Sequence, residues 1–379
     1  GVVKRAYTID TWDFAYTAGR HEWLQFQITD DTFWGVMHGD NSGYYDAFRM
    51  MARLHRHLGD PRAADTWDAR AAALREAANR LCWNGRFYTH FAKITPVTID
   101  GVDEAGQLSL SNPMDINRGL ADHAQAASII REYRRRREMT AAFAEWFSID
   151  PPFPDGVFGD ERLVGGAYVN GGIMPLVGGE LARAAFEHGF EAYGIDILRR
   201  YYDMTSSRGE TYLWYHPDGR PCSIETSTSP DAQPTDGWGS SAMGWALIEG
   251  LAGVVDTGRA MDTVRLSPRW AAAGVDRAEV QVGYEASGAR VAYEYLREGH
   301  RMSLRVSGAP RALSLHLLLP PGSTAAAVTV GGRPAAFDVS HVEGSTYVDV
   351  EPGAWADNGG SASRLGDAGV LFEIELRTP

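Results

Sequence analysis

The hydrophobic pattern of the chain changes near residue 257, and this change limits the fold more than any other feature of the sequence. Before it, apolar residues recur every three to four positions, which is typical of amphipathic helices. After it, short β-rich or alternating segments are separated by Gly, Pro and Asn-Gly. With 379 residues, 44% of them hydrophobic, the chain is long enough for two cores. We therefore predict a mainly α domain over residues 1–256 and an antiparallel β-sandwich over residues 257–379.

The helical part is organised as helix pairs. Gly59-Asp60-Pro61 ends one helix and starts another, which we predict over residues 63–81. A short connection makes two such helices antiparallel neighbours. The first helix is marked by apolar residues at helical spacing: Tyr44, Phe48, Met51, Leu54 and Leu58. Further helices are expected over residues 122–136, 138–147, 172–188, 192–204 and 240–254.

Short strands are expected in the β-rich part, over residues 278–282, 291–296, 302–306 and 313–318. In the helical part, the run of arginines at 134–137 is interpreted as a solvated helix face that complements the helix dipole.

The charge of the chain excludes some partners. Its formal net charge is -13, from 49 acidic and 36 basic side chains, so its surface repels nucleic acid and anionic membranes. No apolar run reaches transmembrane length, and residues 1–30 contain no signal-peptide core. A removed signal would leave no trace, so the compartment stays open. We expect neither a nucleic-acid nor a membrane partner.

The sequence contains no motif that is typical of a metal or cofactor site. His55 and His57 are two positions apart on a helix, so their rings diverge, and no Cys/His cluster accompanies them. The glycine pairs near helices lack the spacing of nucleotide-binding loops. Cys82 and Cys222 allow one bridge but no disulfide framework. We expect no metal and no cofactor.

The candidate catalytic residues are acidic residues that lie beside aromatic residues and outside regular helices. Asp13 lies between two aromatic residues, and Asp10 is its rival. Glu210 follows a glycine and precedes Thr211 and Tyr212. Cleavage of a glycosidic bond needs two such groups, one protonated and one ionised. The 11 tryptophans include further candidates, because an indole face packs well against a sugar ring.

Several segments in order resemble the trehalase family. Trp12-Asp13-Phe14 resembles the motif that carries the catalytic acid in that family, and residues 28–31 are similar to the Thr-rich stretch that follows it. His38-Gly39-Asp40-Asn41 resembles the motif that opens the next helix. Residues 168–175 resemble the family's Pro-Asn-Gly segment.

The resemblance continues near residue 210. Glu210-Thr211-Tyr212 resembles the Glu-x-Tyr that carries the base in trehalases and in the glucosidase I family. Gly237-Trp238-Gly239-Ser240 is similar to the segment that begins the closing helix. The likeness covers about residues 7–255, and departures at Thr11, Gly39 and Met174 separate the chain from trehalases proper. The β-rich part is more similar to that of bacterial α-L-rhamnosidases.

The resemblance implies an inverting six-hairpin glycosidase built on an (α/α)6 toroid. Asp13 would then be the general acid and Glu210 the general base. The resemblance also implies sugar-binding roles for six further side chains: Trp12, Asp40, Asn41, Asn170, Trp214 and Trp238. Asp40, Asn41 and Asn170 are equally suited to capping helices and forming turns.

The helices found are little more than half of the twelve in a closed toroid. We therefore expect the other helices to come from another segment or chain. Two alternatives to a hydrolase stay open: another α/α-toroid enzyme, such as a phosphorylase or polysaccharide lyase, and a non-catalytic carbohydrate-binding relative.

Overall fold

A computed structural model describes residues 1–9, 16, 28–226, 234–351 and 366–377. It combines helices with antiparallel sheets, as the α-plus-β class predicted from the sequence requires. The chain forms two compact units. The first contains Gly1–Ala184 and Asp203–Met243, and the second contains Ala185–Tyr202 and Gly244–Pro379.

The first helix pair of the first unit is confirmed. Helix α1 spans His38–His57 and α2 spans Pro61–Cys82. The carboxylate of Asp60 accepts a hydrogen bond from the backbone N–H of Ala63 at 3.0 Å, and Pro61 occupies the first helical position. Both features satisfy the free N–H groups at the start of a helix, so the boundary is fixed locally.

The second predicted pair is only half correct. Helix α4 (His123–Met139) starts with a capping box between Asp122 and Gln125, but the helix expected over residues 138–147 is wrong. There, Phe143 donates its backbone N–H to the carbonyl of Pro217 at 3.0 Å, and residue 146 accepts from Met174 at 2.8 Å. These contacts with distant segments replace helical hydrogen bonds. The short helix α3 (Ser111–Asn117) was not predicted.

The other helices agree with the predictions. Helix α5 spans Pro175–Glu187, α6 spans Glu191–Ser206, and α7 spans Trp238–Trp245. A π-helical stretch, Ala246–Leu251, continues α7.

Helices α1, α3, α5 and α7 follow one another side by side, and we call them the helix row. A Cβ atom on Gly39 would lie 2.2 Å from Oγ of Ser111, so α1 and α3 touch. The amide of Asn117 donates to Glu180 at 2.6 Å, which joins α3 to α5. A Cβ atom on Gly179 would lie 2.4 Å from the backbone of Ala242, which joins α5 to α7. Glycine thus permits the close approach at two of these three contacts.

Short strands and one 3-10 turn lie before α1 and in the segments that connect the helices of the first unit. One sheet has the order β1–β2–β3 and another pairs β4 with β5. Their bounds are β1 (Arg5–Ala6), β2 (Trp34–Val36), β3 (Ala92–Lys93), a 3-10 turn at Glu104–Gly106, β4 (Leu108–Ser109) and β5 (Ile149–Asp150).

Arg136 shows that the arginine run is not simply a solvated helix face. Its guanidinium is buried, and it pairs with Glu132 at 2.9 Å and with Asp150 at 2.5 Å. The same guanidinium donates to the carbonyl of Gly106 at 2.9 Å. The solvated-face interpretation is wrong for this residue, because it pairs with Glu132, one turn earlier in α4, and with Asp150, beyond the end of the helix.

Two sheets make up most of the second unit. One has the strand order β13–β12–β16–β10–β9–β8, and the other β14–β15–β11–β7–β6. Neighbouring strands are antiparallel except for β7 and β11, which are parallel. The strands are β6 (Val254–Asp256), β7 (Thr263–Leu266), β8 (Arg277–Tyr284), β9 (Ala289–Glu298), β10 (Arg301–Gly308), β11 (Ala312–Leu318), β12 (Thr324–Val330), β13 (Arg333–Pro334), β14 (Asp338–Val342), β15 (Ser345–Val350) and β16 (Gly366–Arg377). The four strands predicted from the sequence are confirmed within longer ones.

The two sheets bury one common apolar core. Val264 and Leu315 from the five-stranded sheet belong to the same cluster as Tyr293, Leu304 and Ile374 from the six-stranded sheet. Alternate side chains of β9 and β10 point into this cluster, as the period of two in a strand requires. A short helix, α8 (Trp270–Ala273), lies between β7 and β8.

Buried charges hold the helical segment of the second unit against its strands. Arg269 is 1% exposed and pairs with Glu187 at 3.1 Å. The Glu191 carboxylate accepts hydrogen bonds from the hydroxyls of Ser345, at 2.6 Å, and Tyr347. Glu187 and Glu191 flank the turn between α5 and α6. This turn therefore belongs to the β-rich unit, although it joins two helices.

Cys82 and Cys222 are both buried free thiols, so the single bridge that the sequence allowed is not formed. Burial raises the pKa of Cys82 to about 12. Among the helices of the described residues, none is long and apolar enough to cross a membrane.

Candidate functional site

The proposed acid lies outside the described residues. Asp13, its neighbour Trp12 and the rival Asp10 all belong to residues 10–15, which the structure does not describe. The residues on either side of that segment are described. The backbone N–H of Tyr16 donates to the carbonyl of Tyr7 at 2.6 Å, so the two ends of the segment are held together.

Aromatic rings surround these two ends. Tyr7 and Tyr16 contact each other edge to face, with ring centroids 5.8 Å apart. Phe158 packs on Tyr16 at 6.1 Å, and Phe153 packs on Phe158 at 5.0 Å. Edge-to-face contacts of this kind fix ring orientation as well as bury area. Tyr7 and Tyr16 therefore belong to one aromatic cluster with Phe153 and Phe158.

Polar groups are buried beside the same cluster. His90 is fully buried, and its Nε2 lies 3.0 Å from the carbonyl of Thr8. Burial lowers the pKa of His90 to about 3, so the ring is neutral at ordinary pH. Glu104 accepts a hydrogen bond from the Tyr7 hydroxyl and pairs with Lys93 at 2.6 Å. His90, Lys93 and Glu104 were not predicted from the sequence, because no local motif marks them.

Glu210 lies on an exposed segment between α6 and α7. The Tyr212 hydroxyl donates to its carboxylate at 2.7 Å. The carboxylate in turn raises the pKa of Tyr212, so the phenol stays protonated and remains a donor. The Tyr212 hydroxyl therefore holds one oxygen of the Glu210 carboxylate in place.

The start of α7 lies against the Glu210 segment. Tyr212 forms an antiparallel bridge with Thr235, and the Thr211 hydroxyl donates to the carbonyl of Asp236 at 2.6 Å. The backbone N–H of Asp236 also donates to the carbonyl of Thr211 at 3.1 Å. The Asp236 carboxylate accepts from the backbone N–H of Trp238 at 2.8 Å and so caps α7. Asp236 was not predicted from the sequence, although an Asp just before a helix is a capping signal.

The two candidate tryptophans differ in exposure. Trp238 is 60% exposed, which leaves its indole face open to a ligand. Trp214 is buried, and its ring contacts His216 at 4.6 Å and Tyr168 at 6.4 Å. Trp214 therefore supports its neighbours, whereas Trp238 presents a surface.

Asn170 is buried and fully used in holding a loop. Its carbonyl oxygen accepts from the backbone N–H of Phe153 at 2.7 Å. Its amide nitrogen donates to the carbonyls of Phe153, at 3.0 Å, and Leu163, at 2.8 Å. The turn around it is tight, because Tyr168 has a positive φ of 42° and a Cβ atom on Gly172 would lie 2.5 Å from the Tyr168 carbonyl.

This loop connects the surroundings of the two candidate carboxyl segments. On one side, Asn170 holds Phe153, which packs through Phe158 against Tyr16. On the other side, Ile173 and Tyr215 exchange two backbone hydrogen bonds of 2.8 Å, and the Tyr215 ring lies 5.7 Å from that of Tyr212. An unbroken set of contacts thus runs from the attachment of residues 10–15 to the partner of Glu210.

Asp40 and Asn41 hold the N-terminal strand. The Asn41 side chain accepts from the Val3 backbone N–H at 2.8 Å and donates to the Val3 carbonyl at 3.1 Å. Asp40 pairs with Arg5 at 3.1 Å. Asn41 is fully buried, while Asp40 lines a cavity of about 450 Å³ at the start of α1.

Metal-binding groups do not gather anywhere in the described part of the chain. No set of three or more His, Cys, Asp or Glu side chains there could hold a metal ion. His38, Asp115 and Ser109 are linked by hydrogen bonds, with His38 Nε2 2.9 Å from the Ser109 hydroxyl, but all three side chains are fully buried. They join α1 to α3 in the interior, and a substrate could not reach the serine.

Comparisons with known proteins give a fold rather than a family. No family model matches the chain, and no curated protein matches it. Solved structures do. An α-L-rhamnosidase from Dictyoglumus thermophilum aligns with a TM-score of 0.50 and 11% identity over 88% of this chain and 31% of its own. A GH78 family rhamnosidase of Bacillus sp. GL1 aligns with a TM-score of 0.50 and 20% identity over 81% and 28%. A sialidase aligns with a TM-score of 0.53 and 14% identity over 83% and 26%.

Each alignment covers more than four fifths of this chain and therefore includes both helical and β-rich parts. The rhamnosidase likeness expected for the β-rich part thus extends to the helices. The chain spans less than a third of each of these proteins. At these identities the likeness concerns the fold alone: the chain has a fold similar to that of glycoside hydrolases of known structure.

Proposed function

We propose that this chain carries the catalytic centre of an inverting glycoside hydrolase. The observation that carries the proposal is the Glu210 carboxylate, which is exposed, accepts a hydrogen bond from Tyr212 and lies on a segment that bonds to Asp236, just before the exposed Trp238. Glycosidases combine a carboxylate that acts on the sugar with aromatic rings that can pack against it. The likeness to rhamnosidase folds supports the same class of reaction.

In this mechanism Glu210 is the base and Asp13 the acid. Glu210 removes a proton from a water molecule that attacks the anomeric carbon, while Asp13 protonates the departing glycosidic oxygen. Inverting enzymes keep the two carboxyl groups about 6.5–9.5 Å apart, which leaves room for the water. The contacts from Tyr16 to Tyr212 through the Asn170 loop support a fixed spacing between the two segments.

The other candidate residues divide into two groups. Trp12 and Trp238 stack on sugar rings, and Asp40, through its cavity, contacts sugar hydroxyls. The second group supports the site without touching the sugar and contains Asn41, Asn170 and Trp214. All three are buried, and the two asparagines already bond to backbone groups.

The proposed architecture follows from the helix row. In an (α/α)6 toroid, an inner ring of helices surrounds the site, and α1, α3, α5 and α7 are four members of such a ring. Residues 1–256 would form this catalytic part, and residues 257–379 a β-sandwich of the rhamnosidase kind. Helices from another segment or chain would complete the ring, and a carbohydrate is the expected substrate.

Two substitutions test the proposal. Glu210→Gln and Asp13→Asn should each lower hydrolysis of a responsive glycoside, found by screening aryl glycosides and α-linked oligosaccharides, by about 10²–10⁴-fold with folding intact. Asp218→Asn is the matched control, because Asp218 is an exposed carboxylate nearby that pairs with Arg220. NMR of the first-formed product should show the inverted anomer.

Contrary results are easy to recognise. Full activity of Glu210→Gln would remove Glu210 from the mechanism. An unsaturated uronide product would indicate a lyase, and phosphate-dependent turnover would indicate a phosphorylase. A retained anomeric configuration would contradict the roles given to the two carboxyl groups.

A further inference from the structure

A cavity of about 840 Å³ lies between α1, α2 and the start of α4, within the first unit. Its lining includes Arg49 of α1 and Arg75 of α2, together with Asp122 and Ala124 at the start of α4. Among the described residues that line it, none belongs to the segments around the candidate catalytic carboxyl groups. The cavity is therefore separate from the candidate site, and we call it the arginine cavity.

The two arginines contact neighbouring residues of one turn. The Nε of Arg75 donates to the carbonyl of Leu120 at 2.9 Å. A Cβ atom on Gly119 would lie 3.0 Å from Nη1 of Arg49, and Gly119 has a positive φ of 78°. Glycine therefore allows the turn and leaves room for the Arg49 guanidinium. Because residues 119 and 120 are adjacent, the two guanidinium groups approach the same part of the cavity.

The position of the Arg49 guanidinium is restricted from a second side. It lies over the ring of Tyr45, with its central carbon 5.5 Å from the ring centroid. Tyr45 is buried, so this ring is a fixed surface. A guanidinium that lies over an aromatic ring keeps the N–H groups at its edge free to donate. Arg49 is thus exposed to solvent but held close to the turn.

Neither guanidinium has a carboxylate partner within the described residues. Each acidic side chain that lines the cavity already has a partner of its own. These contacts are Asp68 with Arg56, Glu76 with Arg80, and Asp122 with the backbone N–H of Gln125. Acidic side chains outnumber basic ones by 49 to 36 in this chain, so a shortage of carboxylates does not explain two unpaired arginines in one cavity.

The first turn of α4 brings a third donor to the same place. The helix begins at His123, three residues after Leu120. The backbone N–H of Ala124, which lines the cavity, has no partner within the described residues. The N-terminus of a helix carries partial positive charge, and its free N–H groups bind anions. The Asp122 carboxylate, which caps α4, offsets part of this charge.

We propose that the arginine cavity binds the phosphate group of a small ligand. This site goes beyond the proposed glycosidase reaction and does not depend on it. The donors come from α1, α2 and α4, and therefore approach from different directions. A tetrahedral phosphate, with oxygens on all sides, satisfies more of them than a planar carboxylate does. The cavity is larger than one phosphate ion requires, so inorganic phosphate and a phosphorylated sugar both fit.

A binding measurement with four variants tests the inference. The probe is inorganic phosphate at constant ionic strength, and phosphorus NMR measures its affinity from the change in line width. Arg49→Gln and Arg75→Gln each remove one guanidinium from the cavity. Arg62→Gln is the matched control, because it makes the same change in net charge on α2 but outside the cavity. Asp122→Asn removes the opposing carboxylate.

We expect wild type and Arg62→Gln to bind phosphate equally. Arg49→Gln and Arg75→Gln should each bind it about ten-fold more weakly, because a charge-assisted hydrogen bond is lost. Asp122→Asn should bind it about three-fold more tightly, since asparagine caps a helix as well as aspartate does and carries no charge. Arg49 is exposed, so its variant decides the result if circular dichroism shows that Arg75→Gln does not fold.

Two results would overturn the inference. One is equal affinity of phosphate for wild type, Arg49→Gln and Arg62→Gln, and the other is no phosphate binding to the wild type. A second titration, with glucose-6-phosphate, distinguishes the two sources of the phosphate group. Tighter binding than that of inorganic phosphate assigns the cavity to a phosphorylated sugar, and equal or weaker binding assigns it to the free ion. None of these measurements depends on turnover, so this inference can fail while the role of Glu210 stands, and the reverse.

Discussion

The two compact units of this protein bury different kinds of side chain. In the first unit, polar groups reach the interior repeatedly, as with His38, Asn41, His90, Asp115 and Asn170. In the second, the core between the sheets is an apolar cluster, and the buried charges gather around Arg269 at the turn between α5 and α6.

The difference follows from what each unit must hold in place. Two sheets need only cover their apolar faces, which non-directional hydrophobic burial achieves. The long connections of the first unit have few regular hydrogen bonds, so buried side chains must satisfy their backbone groups. Directional polar contacts fix a loop at one position, and a catalytic carboxylate depends on such fixing. The candidate site accordingly lies in the unit with the polar interior.

The largest effect should come from the buried charges of the second unit. Glu187→Gln removes a carboxylate that pairs with Arg265 and with buried Arg269, and we expect a loss of about 3 kcal/mol in the free energy of unfolding. Glu279→Gln breaks an exposed pair with Arg277 and should cost about 0.5 kcal/mol or less. Urea unfolding of both variants measures the difference. Equal losses would mean that burial of Arg269 does not depend on its partner.

A smaller loss is expected from Asn170→Ala in the first unit. The change leaves backbone groups of Phe153 and Leu163 without partners, which should cost about 2 kcal/mol. The control is Asn84→Ala, since Asn84 also bonds to backbone N–H groups but is exposed. Urea unfolding and hydrogen exchange of residues 151–170 report the result. If the Asn170 side chain contributes packing alone, the hydrogen-exchange rates of residues 151–170 will not change.

Acid should weaken the first unit through His90. Its pKa is about 3 when folded against an ordinary value of 6.5, so the folded state disfavours the charged ring. The stabilising difference is complete above about pH 6.5 and is lost as the pH falls towards 3, with a slope of up to about 1.4 kcal/mol per pH unit. His90→Gln should flatten this part of the stability profile. His57→Gln, at an exposed position, should leave it unchanged.

The smallest effect is expected from Tyr212→Phe, which removes one exposed hydrogen bond to Glu210. Under the proposed mechanism, kcat should fall about three-fold, because the phenol no longer holds the Glu210 carboxylate in place. The measurement is kcat of both proteins with the same glycoside. An unchanged kcat would mean that this hydrogen bond does not position the base.

Local signals were enough to predict most of the helices. The turn at Asp60 and Pro61 carries its own capping chemistry, so the boundary between α1 and α2 could be read directly. The predicted helix over residues 138–147 failed because Phe143 and Trp146 bond to segments that lie far away in the sequence. Helix α3 escaped prediction because it is 7 residues long, too short for a periodic pattern.

In the candidate site, too, some residues could be predicted from the sequence and others needed the structure. Glu210 and Trp238 could be selected from sequence because Glu210 lies in a predicted loop and Trp238 stands just before the predicted start of a helix. Asn41 and Asn170 have the same appearance in sequence, yet their hydrogen bonds end on the backbone of Val3, Phe153 and Leu163. Trp214 and Trp238 were equal candidates until burial separated them.

What the sequence by itself determined is the order of elements and the inventory of reactive groups. Helical and strand periods, capping residues and turn glycines act over a few positions, so each can be read without the rest of the chain. The tertiary structure alone decided which polar side chains are already satisfied and which tryptophan ring is exposed. Those properties depend on partners brought together from distant positions, and one-dimensional spacing does not specify them.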